Sequence, residues 1–145
     1  MAVTISLYNH TAKLFAEGSN ASGDTYKVTL YSAFSFDATD TTKALAESGG
    51  TQLSTANGYT QDSKTLSGVA VTTVTTNDAK FDADDVTWTA SGGSIAAIGA
   101  LVYNDTDTND PPVAYIDFGG TETAGDGTDF KLIWNASGIF TWTVA

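Results

Sequence analysis

Seventeen carboxylates against six lysines, with no arginine, give this 145-residue chain a formal net charge of −11. That charge disfavours nucleic acid and anionic membrane surfaces as partners. The absence of cysteine removes disulfides, thiolate metal sites and cysteine nucleophiles. The length predicts one domain over residues 1–145, large enough to bury a core without covalent staples.

Only 16% of the residues are charged. Thr, Ser, Gly and Ala cover the surface instead, and such side chains lose little rotamer entropy when they are ordered against a neighbour. The N-terminus, Met1-Ala2-Val3-Thr4-Ile5-Ser6-Leu7, has neither a basic head nor a long apolar run. The expectation is synthesis in a cytoplasm without an export signal. Asn135-Ala136-Ser137 is then a chance glycosylation triplet.

In chain order, Val3, Ile5 and Leu7 alternate with Thr4 and Ser6, which predicts a first strand. Asn9 as cap and Gly18 as stop bracket a short helix over 10–17. Tyr26, Val28 and Leu30 predict a second strand, and Phe34 and Phe36 extend its alternation past a kink. Asp40 is placed to cap a helix over 41–48, closed by Gly49-Gly50.

Asn57-Gly58 predicts a turn. The β-branched run in 65–76 predicts a strand, turned at Asn77-Asp78. Phe81, Val86 and Trp88 are expected on one side of the chain, interrupted by the acidic bend 82–85. Gly92-Gly93 turns into residues 95–103, where neither alternating face is polar. Ile95, Ala97 and Leu101 are expected on one face, and Ala96, Ile98, Ala100 and Val102 on the other. Such a strand sits between two layers or has its outer face covered by another subunit.

Pro111-Pro112 stops an acidic loop over 104–110 and opens a strand over 113–118, with its proline end at a sheet edge. A glycine-rich loop is expected over 119–127. Strands over 129–134 and 139–144 flank Asn135-Ala136-Ser137-Gly138, a hairpin signal. Phe140, Trp142 and Val144 form the expected buried face of the last strand. The sum is an all-β fold, an antiparallel β-sandwich, jelly-roll-like or immunoglobulin-like (Ig-like), with about eight strands and two short peripheral helices.

Catalytic chemistry finds little purchase. His10 is the only histidine and reads as a surface residue, and the chain has no HExxH, GxSxG or Walker motif. The aspartates fall in polar turns, where carboxylates stay solvated and ionised. Trp88, Trp134 and Trp142 read as core rather than as a sugar platform. Tyr59, Tyr103 and Tyr115 read as half-exposed contacts.

Asp105, Asp107, Asn109 and Asp110 place oxygens as the start of a calcium loop does. Asp110 stands where such a loop needs glycine, and Ile116 where it needs glutamate. The reading is a bare acidic loop and no cofactor, with a loop-type calcium site as the alternative. Candidate contact residues for an oligomer or a larger surface are Ile98, Ala100, Val102, Tyr103 and Tyr115.

One set of segments carries a resemblance. It comprises Lys27-Val28-Thr29-Leu30-Tyr31, Asn57-Gly58-Tyr59-Thr60 with Lys64-Thr65-Leu66, and Ala79-Lys80-Phe81-Asp82-Ala83-Asp84-Asp85-Val86-Thr87-Trp88. Gly99-Ala100-Leu101-Val102-Tyr103, Val113-Ala114-Tyr115-Ile116-Asp117-Phe118-Gly119, Asp129-Phe130-Lys131-Leu132-Ile133-Trp134-Asn135 and Gly138-Ile139-Phe140 complete it. In this order and spacing the chain resembles the small virion structural proteins of tailed bacteriophages. The resemblance implies a non-enzymatic decoration (cement) protein on the capsid exterior, made in the host bacterial cytoplasm. Its implied partners are the major capsid protein and copies of itself, as a homo-oligomer, a trimer over three-fold sites. A tail, baseplate or fibre component with a receptor- or sugar-binding surface is the alternative.

Overall fold

The computed structural model describes residues 3–75 and 77–143. Thr76 and Val144, which the expected strands include, lie outside these residues. Among the described residues, ten strands and two short helices run in the order β1 (Thr4–Leu7), α1 (Thr11–Ala16), β2 (Tyr26–Phe34), α2 (Lys43–Ser48), β3 (Gly50–Gln52), β4 (Ala70–Thr73) and β5 (Asp78–Asp82). Then come β6 (Val86–Thr89), β7 (Ile95–Asn104), β8 (Pro112–Ala124), β9 (Asp129–Leu132) and β10 (Phe140–Thr143). Every strand pairing is antiparallel. A five-stranded sheet has the order β1-β8-β7-β2-β3, a three-stranded sheet β10-β5-β4 and a two-stranded sheet β6-β9.

The architecture is all-β and sandwich-like. One face of the five-stranded sheet contributes Tyr26, Val28, Leu30, Ala100, Val102 and Ile116 to the main core. Phe81 and Phe140 from β5 and β10 pack in the same core, with Val86, Trp88, Phe130 and Leu132 from β6 and β9. The aromatic rings meet edge-on as well as stacked, as in the Tyr26–Phe81 and Trp88–Phe130 pairs.

The other face of the large sheet is also covered. Tyr8, Tyr31, Leu101 and Tyr115 bury there with Ala46 of α2, and Phe34 and Phe36 pack against them. This accounts for the apolar sequence of β7, a central strand with a layer on each side. The covering layer is the chain's own helix α2 and the segment after β2.

β7 departs from the expected alternation. Its register against β8 slips between Ala97 and Gly99, so Ile95, Ala97, Ala100 and Val102 all reach the main core while Leu101 turns to the other face. Four residues of β8, Phe118 to Thr121, stand opposite Ile98 alone, and Gly119 takes a positive φ of 77° within this irregularity. The expected glycine loop over 119–127 is therefore mostly the second half of β8. Gly99 is buried where a side chain would strike the Tyr115 ring and the Ile116 carbonyl.

Other boundaries shift for local reasons. The cap of α2 is Thr42 rather than Asp40, its hydroxyl accepting from the Leu45 N–H at 3.2 Å. His10, not Asn9, occupies the cap position of α1, without a side-chain cap. Asn57 and Gly58 both adopt positive φ, 56° and 85°, and make the expected turn. The β-branched run forms only the short edge strand β4, with Val71 exposed.

The Asn135–Gly138 turn closes, with the Gly138 N–H donating to the Asn135 carbonyl at 2.8 Å. Its two flanking strands do not form the expected hairpin ladder. β9 pairs with β6, and β10 with β5. β8 is an interior strand. Its proline end lies past the end of β1, where His10 Nε2 donates to the Pro112 carbonyl at 2.9 Å and the Thr11 hydroxyl to that of Val113.

Candidate functional site

β1 is where the alternation misleads most. Ile5 lies opposite Ile116 and Leu7 opposite Ala114, so both point to the core side of the large sheet. Yet Val3, Ile5 and Leu7 are 61%, 37% and 38% exposed. The smaller layer does not reach under β1, and the large sheet overhangs it. The overhang opens a groove of about 700 Å³. Val3 and Ile5 line one side, Ile116 and Phe118 the floor, and Phe130, Leu132 and Trp134 of the β9 segment the facing wall.

The facing wall follows from the sequence of β9 and its extension. Phe130, Leu132 and Trp134 are buried on the core side, with Lys131 outward. Trp134 is anchored by the acidic bend: its backbone N–H donates to Asp85 Oδ1 at 2.9 Å, and its indole N–H to the Asp84 carbonyl at 3.0 Å. Ile133, next in line and 69% exposed, stands at the groove rim. The polar rim holds Glu122, Thr123, Asp129 and Lys131. An apolar trough with a sparse charged rim can hold an apolar segment by desolvation and select it by charge.

The five expected contact residues lie elsewhere. Ala100 and Val102 are fully buried in the main core, Tyr103 is 1% exposed and Tyr115 5%, and only Ile98 keeps partial exposure. The expectation of an outward contact face there is corrected, because the chain covers that strand itself. Tyr59 is buried as well.

Tyr103 is roofed by a polar clasp. Lys43 Nζ bridges Glu47 at 2.9 Å and Asp62 at 3.0 Å, and lies 5.1 Å above the Tyr103 ring. Tyr31 donates to Glu47 at 2.7 Å, while Gln52 donates to both Asp62 and the Tyr59 hydroxyl. Burial pulls the Lys43 ammonium down, but Glu47 and Asp62 outweigh it and hold it above its ordinary value. Burial and then nearby carboxylates push Tyr103 up, and burial with Asp117 pushes Tyr115 up to about 12.

The acidic loop does not gather into a calcium site. Asp105 pairs with Lys27 at 2.8 Å. Asp107 accepts from the Asn109 N–H, closing a local turn, and Asp110 takes a positive φ of 45° while its carbonyl receives the Lys43 N–H. Burial and Asp105 raise the Asp110 carboxyl. Among the described residues no three His, Asp or Glu side chains are placed to hold a metal ion. Trp88 and Trp134 are core residues, as the sequence implies.

His10 is half-buried rather than a free surface residue. Its ring stacks near Tyr8, 6.1 Å between centroids, and Nδ1 has no partner among the described residues. Burial lowers its pKa, against the opposing pull of the Pro112 hydrogen bond.

The groove itself had two signals in the sequence. Leu132-Ile133-Trp134 is a run of three apolar residues in an otherwise alternating strand, so one of them must face outward. Val3, Ile5 and Leu7 alternate with Thr4 and Ser6 and so declare an apolar face, on a strand that the fold places at a sheet edge. Comparison with protein-family models, with curated proteins and with solved structures finds no match to this chain.

Proposed function

We propose that this chain is a non-enzymatic structural protein of a tailed-phage particle, a decoration protein that seats on the outer head surface with the major capsid protein as its partner. One observation carries the reading: Val3, Ile5 and Ile133 stay exposed around an apolar groove at a free sheet edge. Contiguous apolar surface of this kind marks docking. The small polar exterior supports permanent packing, since it orders at little entropic cost.

The mechanism is multivalent. Each copy buries a modest area, and many copies on one shell add up to a large resistance against expansion. Grouping in threes is set by the shell lattice in this reading, because free chains at −11 repel one another. The finer fold description, a jelly-roll-like or immunoglobulin-like sandwich, belongs to the same proposal. It is supported by antiparallel neighbours that are distant in sequence, β1 beside β8 and β7 beside β2.

Electron cryo-microscopy of particles with and without the chain tests the assignment. Added density on the head surface is the expected outcome. Density on the tail would replace it with the tail, baseplate or fibre reading, and identical particles would overturn both.

A further inference from the structure

The following rests on the docking reading above and names the chemistry of what docks. Among the described residues, two backbone edges border the groove without a strand partner. There β1 pairs only with β8, and β9 only with β6. Among the described residues, the β1–β8 ladder runs from Thr4 opposite Asp117 to Leu7 opposite Ala114. Unpaired N–H and C=O groups beside an apolar trough are the requirements for adding a strand. The trough then takes every second side chain of the added strand, because successive residues point to opposite faces.

Charge selects among occupants. Five of the six lysines, Lys13, Lys27, Lys43, Lys80 and Lys131, are already ion-paired with the chain's own carboxylates. The excess negative charge therefore has no internal counter-ion. At the groove rim Glu122 and Asp129 face the single Lys131, which sits 3.7 Å from Asp129. A second copy would bring −11 against −11. We infer that the groove binds an extended segment of a different protein, laid as an added strand along β1. In that segment valine, isoleucine or leucine alternates with small polar residues, and lysine or arginine flanks the run.

The test titrates the full chain with a short fluorescent peptide in which valine alternates with threonine between lysine pairs, read by anisotropy. A matched peptide with glutamate pairs is the charge control. The basic peptide should bind, and its affinity should fall about tenfold or more as salt screens the charges. Amides of residues 4–7 should gain protection from hydrogen exchange in the complex. Ile5→Asp and Ile133→Asp should each weaken binding at least tenfold while melting like the parent. Val71→Asp, on the exposed edge strand β4, should leave binding unchanged.

Absence of binding up to about 1 mM peptide, or equal binding of the acidic peptide, would overturn the inference. Sedimentation showing a dimer that Ile5→Asp returns to monomer would make the occupant a second copy and would also overturn it. The two proposals fail separately. If Ile5→Asp chains still coat particles, the groove is not the route although decoration stands. If the parent chain is absent from particles, decoration falls while the peptide result is untouched.

Discussion

At the scale of single residues, Gly99 and His10 carry most of what is testable. Gly99 is buried at the register slip of β7, pressed against the Tyr115 ring and the Ile116 backbone. Gly99→Ala should cost about 1–3 kcal/mol by overpacking, measured by urea unfolding at unchanged m. An unchanged midpoint would show that the strand has room there. His10 holds the open end of β8 through Nε2, with its pKa lowered by burial. A lowered folded-state pKa means the unfolded chain takes up the proton first. The contribution of His10 is therefore complete above its unfolded value of about 6.5 and is lost as pH falls through the folded value. Stability of His10→Gln, which keeps an N–H donor, should show less loss between neutral and mildly acidic pH than the parent. Parallel pH profiles would remove His10 as the cause.

At the scale of elements, helix α2 shows why the contact face expected from the sequence is absent. Lys43 reaches from α2 to Glu47, to Asp62 and over Tyr103, and this clasp closes the layer that covers β7. Lys43→Met keeps the stem but leaves two half-buried carboxylates without a cation. Chemical denaturation should register a loss of about 2 kcal/mol, and an unchanged stability would mean the clasp is not what holds α2. The elements themselves were largely legible in the sequence, because alternation, turn residues and glycine stops are local. The partners were not. The Asn135–Gly138 turn is visible in the sequence, but nothing local says that β9 goes to β6 and β10 to β5. The alternation of Val3, Ile5 and Leu7 declares an apolar face, but whether that face is covered depends on how far the opposite layer extends. A register slip at Ile98, which moves Ala100 and Val102 onto the face of Ala97, has no signature beyond the buried Gly99.

At the scale of the whole molecule, a two-sided core explains a chain that folds without covalent staples. Its buried tyrosines give that core a pH limit. Tyr8, Tyr26, Tyr31, Tyr103 and Tyr115 all have raised pKa values, each chiefly from burial. The unfolded chain ionises its tyrosines near pH 10 while the folded chain keeps them neutral. The stability they contribute is thus fully present below that pH and lost as pH rises through the folded values. Tyrosinate absorbance and loss of near-ultraviolet circular dichroism should appear together in an alkaline titration. Tyrosinate forming well before the fold is lost would show that these side chains reach water in the native state.

The central claim is that the chain works by seating its open sheet edge on a partner. The most direct measurement is occupancy on purified phage particles by parent chain, Ile5→Asp and Val71→Asp, quantified after co-sedimentation. The account predicts saturation by the parent and by Val71→Asp, and at least a tenfold loss for Ile5→Asp. Equal coating by all three, or no coating by the parent, would contradict it.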